Sequence, residues 1–144
     1  MTFRKILIAA DQGPAAARAV ATGIDLARAL GADLALIHVY EPLVAYGTEA
    51  GLPAGEVAAL AKAEGQQLFD ELRRHHALGP EVKEFMKPGH AAETIVKTAK
   101  SWHADLIVIG SHGRGGVPRM LLGSVAEAVM RHAACPVLVI RHNS

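Results

Sequence analysis

Cysteine is almost absent from this chain, since Cys135 is the only one among 144 residues. No disulfide can therefore form within the chain, which is typical of a protein from a reducing compartment. Because Cys135 comes directly before Pro136 and an apolar segment, the sequence favours a small buried thiol over a reactive one.

Long apolar runs are also missing. None approaches the roughly 18 residues that a transmembrane helix requires. The amino-terminal stretch MTFRKILIAADQ has the outline of a signal peptide, but its apolar part covers only residues 6–10 before Asp11. A signal peptide needs an apolar core of at least about 7 residues. We therefore expect a cytoplasmic protein with no membrane partner.

Blocks of like charge do not occur, and the formal net charge is +1 with histidine neutral. Proteins that bind mainly nucleic acid usually concentrate basic residues on one face, so nucleic acid is not expected as a partner. With 51% hydrophobic and 20% charged residues, the composition is that of an ordered protein. The length fits one domain spanning residues 1–144.

Short apolar segments alternate with helical patterns along the chain. The segments that we predict as strands are residues 3–10, 33–40, 81–86, 105–110 and 136–141. Helices are predicted from Pro14 to Gly31, over residues 53–78 and 91–102, and through Val125, Val129 and His132, with a loop at 41–52. This alternation predicts an α/β fold in which helices cover both faces of an open parallel sheet.

Proline and glycine mark the expected ends of several elements. Pro14 suits the first position of a helix, and Gly31 suits the residue that ends one. The pair Gly79-Pro80 is expected to end the second helix. Residues 81–86 are short and mixed in character, as an edge strand can be.

The segment GSHGRGGVPRMLLGS, residues 110–124, holds five of the 14 glycines and follows the fourth predicted strand. In open α/β sheets, ligands bind beyond the carboxyl ends of the strands, where the strand order reverses. A helix begins after this segment, and a helix start offers free N–H groups and a positive dipole end that suit phosphate. The segment therefore predicts a site for a phosphate-bearing ligand.

Two common nucleotide motifs do not fit this segment. A Walker A loop is excluded because no lysine follows these glycines, and a dinucleotide GxGxxG is excluded because Pro118 stands where the third glycine belongs. The spacing that is present is G-x2-G-x9-GS, formed by Gly110, Gly113, Gly123 and Ser124.

This spacing resembles that of the universal stress protein family, whose ATP-binding members carry G-x2-G-x9-G-[ST] after the fourth strand. The resemblance extends over nearly the whole chain, through KILIAAD, DLALIHV, GHAAETIVKTAKSWHADLIVIGSHGRGG and LLGSVAEAVMRHAACPVLVIR. It implies a Rossmann-like sheet of five parallel strands in the order 3-2-1-4-5. In that order the first and fourth strands are neighbours across the reversal, so Asp11 and Gly110 are expected to face one crevice.

The resemblance also implies roles for individual residues. Asp11 and Val39 match residues that line the adenosine end of the ATP site, and Ala9 stands where some ATP binders carry proline. The residues that match those wrapping the ribose and phosphates are Gly110, His112, Gly113, Gly123, Ser124 and Val125. Arg114 and Arg119 are expected to add positive charge, and Mg²⁺ or Mn²⁺ to accompany the triphosphate.

Several of these residues have simpler structural interpretations. Ser124 with Glu127 fits an S-x-x-E capping box, and Asp11 fits a cap of the first helix. His112 fits a surface loop histidine, and the two arginines fit solvated side chains. The family's Gly-Ser after the aspartate is replaced here by Gln12-Gly13-Pro14, which removes a hydroxyl from the adenosine end.

Residues for demanding chemistry are not evident, since there is no nucleophile elbow, no paired-carboxylate motif and no thiol beside a base. The histidines lack metal-ligand spacing. We therefore expect no catalytic residues and no structural metal. Bound ATP is expected to act as a ligand that selects a conformation, with at most slow hydrolysis. The sequence leaves open whether ATP, ADP or AMP is preferred, and what Gly115 and Gly116 do.

An alternative function is that of a dimeric interaction module that does not depend on nucleotide. The last strand, from Pro136 to Arg141 (PVLVIR), is apolar and would be an edge strand in the family's order. An exposed apolar edge invites association, so a partner is expected to cover it. Family members dimerise there, which implies a homodimer for this chain, while a further protein partner stays open.

Overall fold

The computed structural model describes residues 2–41, 54–112 and 122–142. Its strands are β1 (Lys5–Ala9), β2 (Asp33–Tyr40), β3 (Lys83–Pro88), β4 (Leu106–Gly110) and β5 (Val137–Ile140). Its helices are α1 (Pro14–Leu30), α2 (Ala54–His76), α3 (Ala91–Trp102) and α4 (Ser124–His132). None of the helices in these ranges is long and apolar enough to cross a membrane.

All five strands form one parallel sheet in the order β3-β2-β1-β4-β5. This confirms the α/β fold and the strand order that the family resemblance implied. The order reverses between β1 and β4, where Ile8 pairs with Val108. Three residues beyond this pair, Asp11 after β1 and Ser111 after β4 lie side by side at the carboxyl edge of the sheet.

The helices cover both faces of this sheet. Ile6 and Ile8 of β1 lie on the face of the sheet that α1 and α2 cover, whereas Leu7 and Ala9 lie on the face that α3 and α4 cover. Burial on both faces explains why the central strands have continuous apolar sequences instead of alternating ones. Each of these faces has its own hydrophobic cluster.

The predicted ends of α1 are confirmed. Pro14 occupies the first turn after the N-cap Gly13. Gly31 ends the helix in the left-handed region with φ of 64°, and its N–H donates to the carbonyl of Ala27. Glycine is suited to that conformation because it has no Cβ to clash with the backbone.

The predicted end of α2 is wrong by two residues. The helix ends at His76 instead of residue 78, and Ala77 adopts a left-handed φ of 52°. The N–H of Leu78 then donates to the carbonyl of Arg73 at 3.0 Å, as in a Schellman motif. A non-glycine residue takes the position that glycine usually occupies, so Gly79 is not the residue that ends the helix.

Arg73 supplies the hydrogen bonds that hold this turn in place. Its guanidinium donates to the carbonyls of Gly79 at 2.9 Å and Val82 at 2.6 Å. It also pairs with the carboxylate of Glu84 on β3. Such tertiary bonds offset the cost of roughly 1 kcal/mol for a left-handed alanine. A search of the sequence for helix-ending residues does not find these contacts.

The third strand lies two residues later than the predicted 81–86. It ends at Pro88, which pairs with Tyr40 of β2. β3 is an edge strand with β2 as its neighbour, so a proline without an N–H group is tolerated there. Gly89 follows with φ of 134°, and its N–H donates to the Tyr40 carbonyl at 3.0 Å.

Asp105 ties β1 to the start of β4, which gives a first prediction. Its Oδ2 accepts hydrogen bonds from the N–H groups of Arg4 and Lys5, each at 2.9 Å. The substitution Asp105→Ala removes the acceptor and leaves two backbone donors unpaired. We expect a loss of about 1–2 kcal/mol in the free energy of unfolding, measured by urea denaturation.

The matched control is Asp33→Ala, at the exposed first residue of β2. It should shift the urea midpoint by less than half as much. Equal losses in the two variants would mean that the Asp105 hydrogen bonds contribute nothing specific.

Candidate functional site

The carboxyl ends of β1 and β4 are brought together with the start of α4. The N–H of Gly123, the residue before α4, donates to the carbonyl of Ser111 just after β4, at 2.6 Å. On the other side, the N–H of Ala10 donates to the carbonyl of Ile37 in β2 at 2.8 Å. Asp11, His112 and Gly123 therefore lie at one edge of the sheet, where the strand order reverses.

Ala9 and Val39 lie on the α3/α4 side of this edge. Ala9 is 8% exposed, and Val39 is half-buried near the end of β2. Both belong to the cluster that also contains Leu122 and Ala126 at the start of α4. The predicted adenosine-end residues thus share a face with the predicted phosphate-end helix.

Asp11 does not cap α1, so that structural interpretation is wrong. The N-cap of the helix is Gly13, and no side chain caps it. The Oδ1 of Asp11 instead accepts a hydrogen bond from the N–H of Gln12 at 2.8 Å. The carboxylate, half-buried, remains at the carboxyl end of β1 with further acceptor capacity.

Gly110 has a clear packing role. A Cβ on this residue would lie 2.7 Å from the carbonyl carbon of Ala15 and 2.8 Å from the nitrogen of Ala16. The first turn of α1 therefore rests directly on the end of β4. This contact explains the glycine without a ligand, and the assignment of Gly110 to the nucleotide stays a prediction.

A glycine is needed at position 123 because α4 and the end of β4 come close together there, and not because of the backbone angles. Its φ of −73° is open to any residue. A Cβ would lie 2.9 Å from the Ser111 carbonyl oxygen and 3.4 Å from the Cα of His112. A side chain here would push α4 away from the end of β4, so the glycine keeps the helix start at the sheet edge.

Ser124 and Glu127 do not form the capping box that their spacing suggested. α4 begins at Ser124 and its N-cap is Gly123, with no side-chain cap, so the serine lies one position too far into the helix. The Glu127 carboxylate is paired with Arg131 one turn later at 2.8 Å. Ser124 and Val125 are exposed at the start of the helix.

His112 is not a surface loop histidine. Its ring is partly buried, and its Nδ1 lies 3.2 Å from the hydroxyl of Ser111, which is 2% exposed. Its Nε2 is buried and has no hydrogen-bond partner in the part of the chain that the structure describes. Buried polar atoms almost always have a partner, so this nitrogen is a candidate for a hydrogen bond to a group outside the described residues.

The remaining predicted phosphate-end residues cannot be placed. Gly113 and Arg114 lie outside the described residues, as do Gly115, Gly116 and Arg119. Their predicted roles, and the alternative that the two arginines are merely solvated, stay predictions.

Two side chains at this edge were missed by reasoning from the sequence. One is Ser111, which has no assigned role in the G-x2-G spacing and whose hydroxyl lies 3.2 Å from His112 Nδ1. The other is His38 on β2, whose Nδ1 lies 2.9 Å from the Ala10 carbonyl. Because a carbonyl only accepts, Nδ1 carries the proton and donates, which fixes the backbone next to Asp11. The sequence signal that could have identified His38 is a histidine inside an otherwise apolar predicted strand.

Other candidate reactive groups are not in this region. No group of three or more His, Cys, Asp or Glu side chains within residues 2–41, 54–112 and 122–142 could hold a metal ion. Cys135 is half-buried instead of fully buried. Burial raises the pKa of its thiol, which agrees with the expectation of an unreactive side chain.

Comparison with known proteins gives the family. Residues 2–141 match the model of the universal stress protein family. The chain belongs to this family. The universal stress protein A homolog 2 of Coxiella burnetii is 36% identical over 141 residues, covering 96% of this chain and 95% of that protein.

Solved universal stress proteins share the fold. UspA from Lactobacillus plantarum superposes with a TM-score of 0.86 and 26% identity, covering 98% of this chain and 99% of the other. A universal stress protein solved in complex with cAMP gives a TM-score of 0.67 at 22% identity, covering 99% of this chain and all of the other. At 22% identity, the second comparison shows only that the two proteins share a fold.

The packing of α1 on β4 gives a second prediction. Gly110→Ala forces a methyl group into the backbone of Ala15 and Ala16, and overpacking of this kind costs about 1–3 kcal/mol. We expect a clear fall in the midpoint of thermal unfolding.

Gly55→Ala in α2 is the control, because nothing lies within 4 Å of the added Cβ. It should be neutral or slightly stabilising. If Gly110→Ala unfolds at the temperature of the parent protein, the contact of α1 with β4 is looser than described.

Proposed function

We propose that this universal stress protein binds ATP at the edge where β1 and β4 end, and that the nucleotide acts as a conformational ligand in a stress response. The observation that carries the proposal is the hydrogen bond from Gly123 to Ser111. It holds the start of α4 beside the reversal of strand order, which is where open α/β sheets bind ligands.

Two further observations fit a phosphate group. The first residues of α4, Ser124 and Val125, are exposed, and the N–H groups of a helix start favour anions. The buried Nε2 of His112 has no partner among the described residues. The G-x2-G-x9-GS spacing adds the sequence signal, since it is the pattern of the ATP-binding members.

The residues predicted for the adenosine end would make less specific contacts with the ligand. Val39, half-buried at the end of β2, offers an apolar surface for a base, whereas Ala9 lies largely buried beneath this edge. Asp11 offers a carboxylate that has acceptor capacity beyond its bond to Gln12. Mg²⁺ or Mn²⁺ would accompany the triphosphate. Because no protein cage of three or more ligands occurs in the described residues, the ion would be held mainly by phosphate oxygens.

The side chains at this edge favour a role of ATP as a bound ligand over its rapid hydrolysis. The side chains gathered at this edge are the Asp11 carboxylate, the His38 and His112 imidazoles and the Ser111 hydroxyl. The Ser111 hydroxyl contacts His112, but the serine is 2% exposed, so its oxygen is not presented to a ligand as a nucleophile. We therefore propose that bound ATP shifts a conformational equilibrium, with hydrolysis slow at most. The fold also accommodates an adenine nucleotide in a relative, the universal stress protein solved with cAMP.

ATP binding is tested by calorimetry with Mg²⁺ present. The parent protein should bind, and Gly113→Val should abolish binding because the motif brings backbone N–H groups close to the phosphates at that position. The matched control is Gly55→Val on α2, where nothing lies within 4 Å of an added Cβ, and it should bind like the parent. Equal binding by all three proteins would contradict the assignment of the motif.

A second candidate function, a dimeric interaction module, is favoured by the β5 edge. All four residues of β5 are apolar and only half-buried, and the strand has β4 as its neighbour. Met130, on the adjacent α4, is 50% exposed. An apolar edge strand is a template for pairing with another chain, so we propose a homodimer through β5.

The backbone of β5 allows a direct test of this dimer. The carbonyls of Pro136 and Ile140 face β4, where they accept from Ile107 and Ser111. By alternation along a strand, the N–H of Val139 points to the free edge. Val139→Pro removes that donor without removing a bond to β4. Sedimentation should change from dimer to monomer. The unfolding midpoint should fall less than on loss of a hydrogen bond to β4, with the fall coming from the packing of Val139 and from loss of the dimer.

Leu138→Pro is the contrasting variant, since its N–H faces β4. It should lower the unfolding midpoint as well as disrupt the dimer. A parent protein that sediments as a monomer at micromolar concentration, or a Val139→Pro protein that remains a dimer, would contradict pairing through β5.

A further inference from the structure

His38 connects the two chain segments that carry the residues predicted for the adenosine end. It directly precedes Val39 in β2. Its Nδ1 donates to the carbonyl of Ala10 at 2.9 Å, and Ala10 directly precedes Asp11. The side chain therefore links the end of β1 to the end of β2 at the point where Asp11 and Val39 leave the sheet.

The hydrogen bond from His38 acts on the peptide unit that begins Asp11. The backbone pairing of β1 with β2 ends at Ala9 and Ile37. Beyond this pair, the N–H of Ala10 donates to the Ile37 carbonyl at 2.8 Å, and the carbonyl of Ala10 accepts from His38. Because a peptide unit is planar, fixing this carbonyl also fixes the direction of the Asp11 N–H. Both peptide units that precede Asp11 are thus held by β2.

Helix α2 holds the imidazole ring of His38 from the other side. The ring contacts Phe69 edge to face, with 6.4 Å between the ring centroids, and Phe69 is fully buried. One turn earlier in α2, a Cβ on Gly65 would lie 2.6 Å from the Cδ2 of His38 and 2.6 Å from the sulfur of Met86. The absence of a side chain at Gly65 therefore leaves the space that the ring occupies.

Packing alone does not explain a histidine at this position. Leu34 and Leu36, on the same face of β2, are aliphatic and buried, and a residue of that kind would also pack against α2. It would leave the carbonyl of Ala10 without the donor that His38 supplies. Ala10 is 3% exposed, so water has little access to that carbonyl, and an unpaired buried acceptor is costly.

We propose that His38 is a positioning residue, which fixes Asp11 relative to Val39 and so determines how tightly the adenosine part of a nucleotide binds, without contacting the nucleotide. This inference rests on the proposed function and adds to it a residue outside the predicted contacts. It also gives α2, which carries none of the predicted ligand residues, a part in shaping the site.

Two substitutions separate the hydrogen bond of His38 from its ring. In His38→Asn the amide nitrogen takes about the position of Nδ1, so the donor to Ala10 is kept and the ring is lost. In His38→Phe a ring is kept and the donor is lost. By calorimetry, we expect His38→Asn to bind MgATP within a few-fold of the parent and His38→Phe to bind it about 10-fold more weakly. A ring that served only for packing would give the reverse order.

Magnesium tripolyphosphate tests which end of the nucleotide is affected. It has no adenosine, and the proposed function places its phosphates at the start of α4, on the opposite face of the sheet from His38. His38→Phe should therefore bind it like the parent. The matched control is His75→Phe, at an exposed histidine of α2, which should bind both ligands like the parent. Thermal unfolding checks that each variant is folded.

Three outcomes of these titrations would overturn the proposal. One is that His38→Phe binds MgATP as tightly as the parent. Another is that His38→Asn and His38→Phe lose the same affinity, since the donor would then not matter. The third is that His38→Phe weakens tripolyphosphate as much as MgATP, since the effect would then not be confined to the adenosine end.

A substitution in α2 tests the same link from the side of the helix. Gly65→Ala forces the ring of His38 to move, so MgATP should bind several-fold more weakly. Gly55→Ala is the matched control, because it lies in the same helix and nothing is within 4 Å of its added Cβ. Binding by Gly65→Ala that equals the parent's would contradict a role of α2 in the site.

NMR spectra without ligand distinguish a failure of this inference from a failure of the proposed function. The ¹³C shift of the Ala10 carbonyl reports whether that group accepts a hydrogen bond. It should change in His38→Phe and stay close to the parent's in His38→Asn and His75→Phe. If the parent fails to bind MgATP, the proposed function fails, and these spectra still decide whether His38 holds the backbone at Asp11. An unchanged Ala10 signal in His38→Phe would show that it does not.

Discussion

The hydrogen bond from Gly123 to the carbonyl of Ser111 is the interaction on which the candidate site depends. It brings a helix start, with its unpaired N–H groups, against the carboxyl end of β4. It forms at 2.6 Å because no side chain separates the two backbones at Gly123. Without this contact, β1 and β4 would still be neighbours, but the sheet edge at the reversal of strand order would lose the donors that an anion needs.

The fold could be predicted from the sequence because its signals repeat. Five strand segments such as residues 33–40 alternate with four helical patterns, and alternation leaves few topologies open. The exact strand order came from the family resemblance. The ends of elements were less predictable where distant contacts decide them. Ala77 takes a left-handed conformation because Arg73 and Glu84 hold the turn, and β3 extends to Pro88 because an edge strand tolerates proline.

The sequence predicted which residues come together, but not the contacts that they make. The glycine spacing and the family's strand order predicted that Asp11, Gly110 and Gly123 lie at one edge of the sheet, and the structure places them there. The absence of a side chain at Gly123 allows the close approach of α4. The two capping interpretations were wrong for different reasons. Asp11 lies two residues before the N-cap Gly13, and Ser124 lies one position too far into α4, whose N-cap is Gly123. Ser111 and His38 were missed because their roles depend on one side-chain hydrogen bond each, from Ser111 to the adjacent His112 and from His38 to the carbonyl of Ala10 on β1's side of the sheet.

The central claim is that an adenine nucleotide occupies the crevice between β1 and β4, with its phosphates at the start of α4. Backbone amide chemical shifts, followed by NMR during a titration with MgATP, test it most directly. The account predicts saturable changes at Gly123, Ser124 and Val125, with smaller ones at Asp11 and Val39, and none at exposed residues of α2 such as His75. Saturable changes that spare α4, or no changes at all, would contradict it.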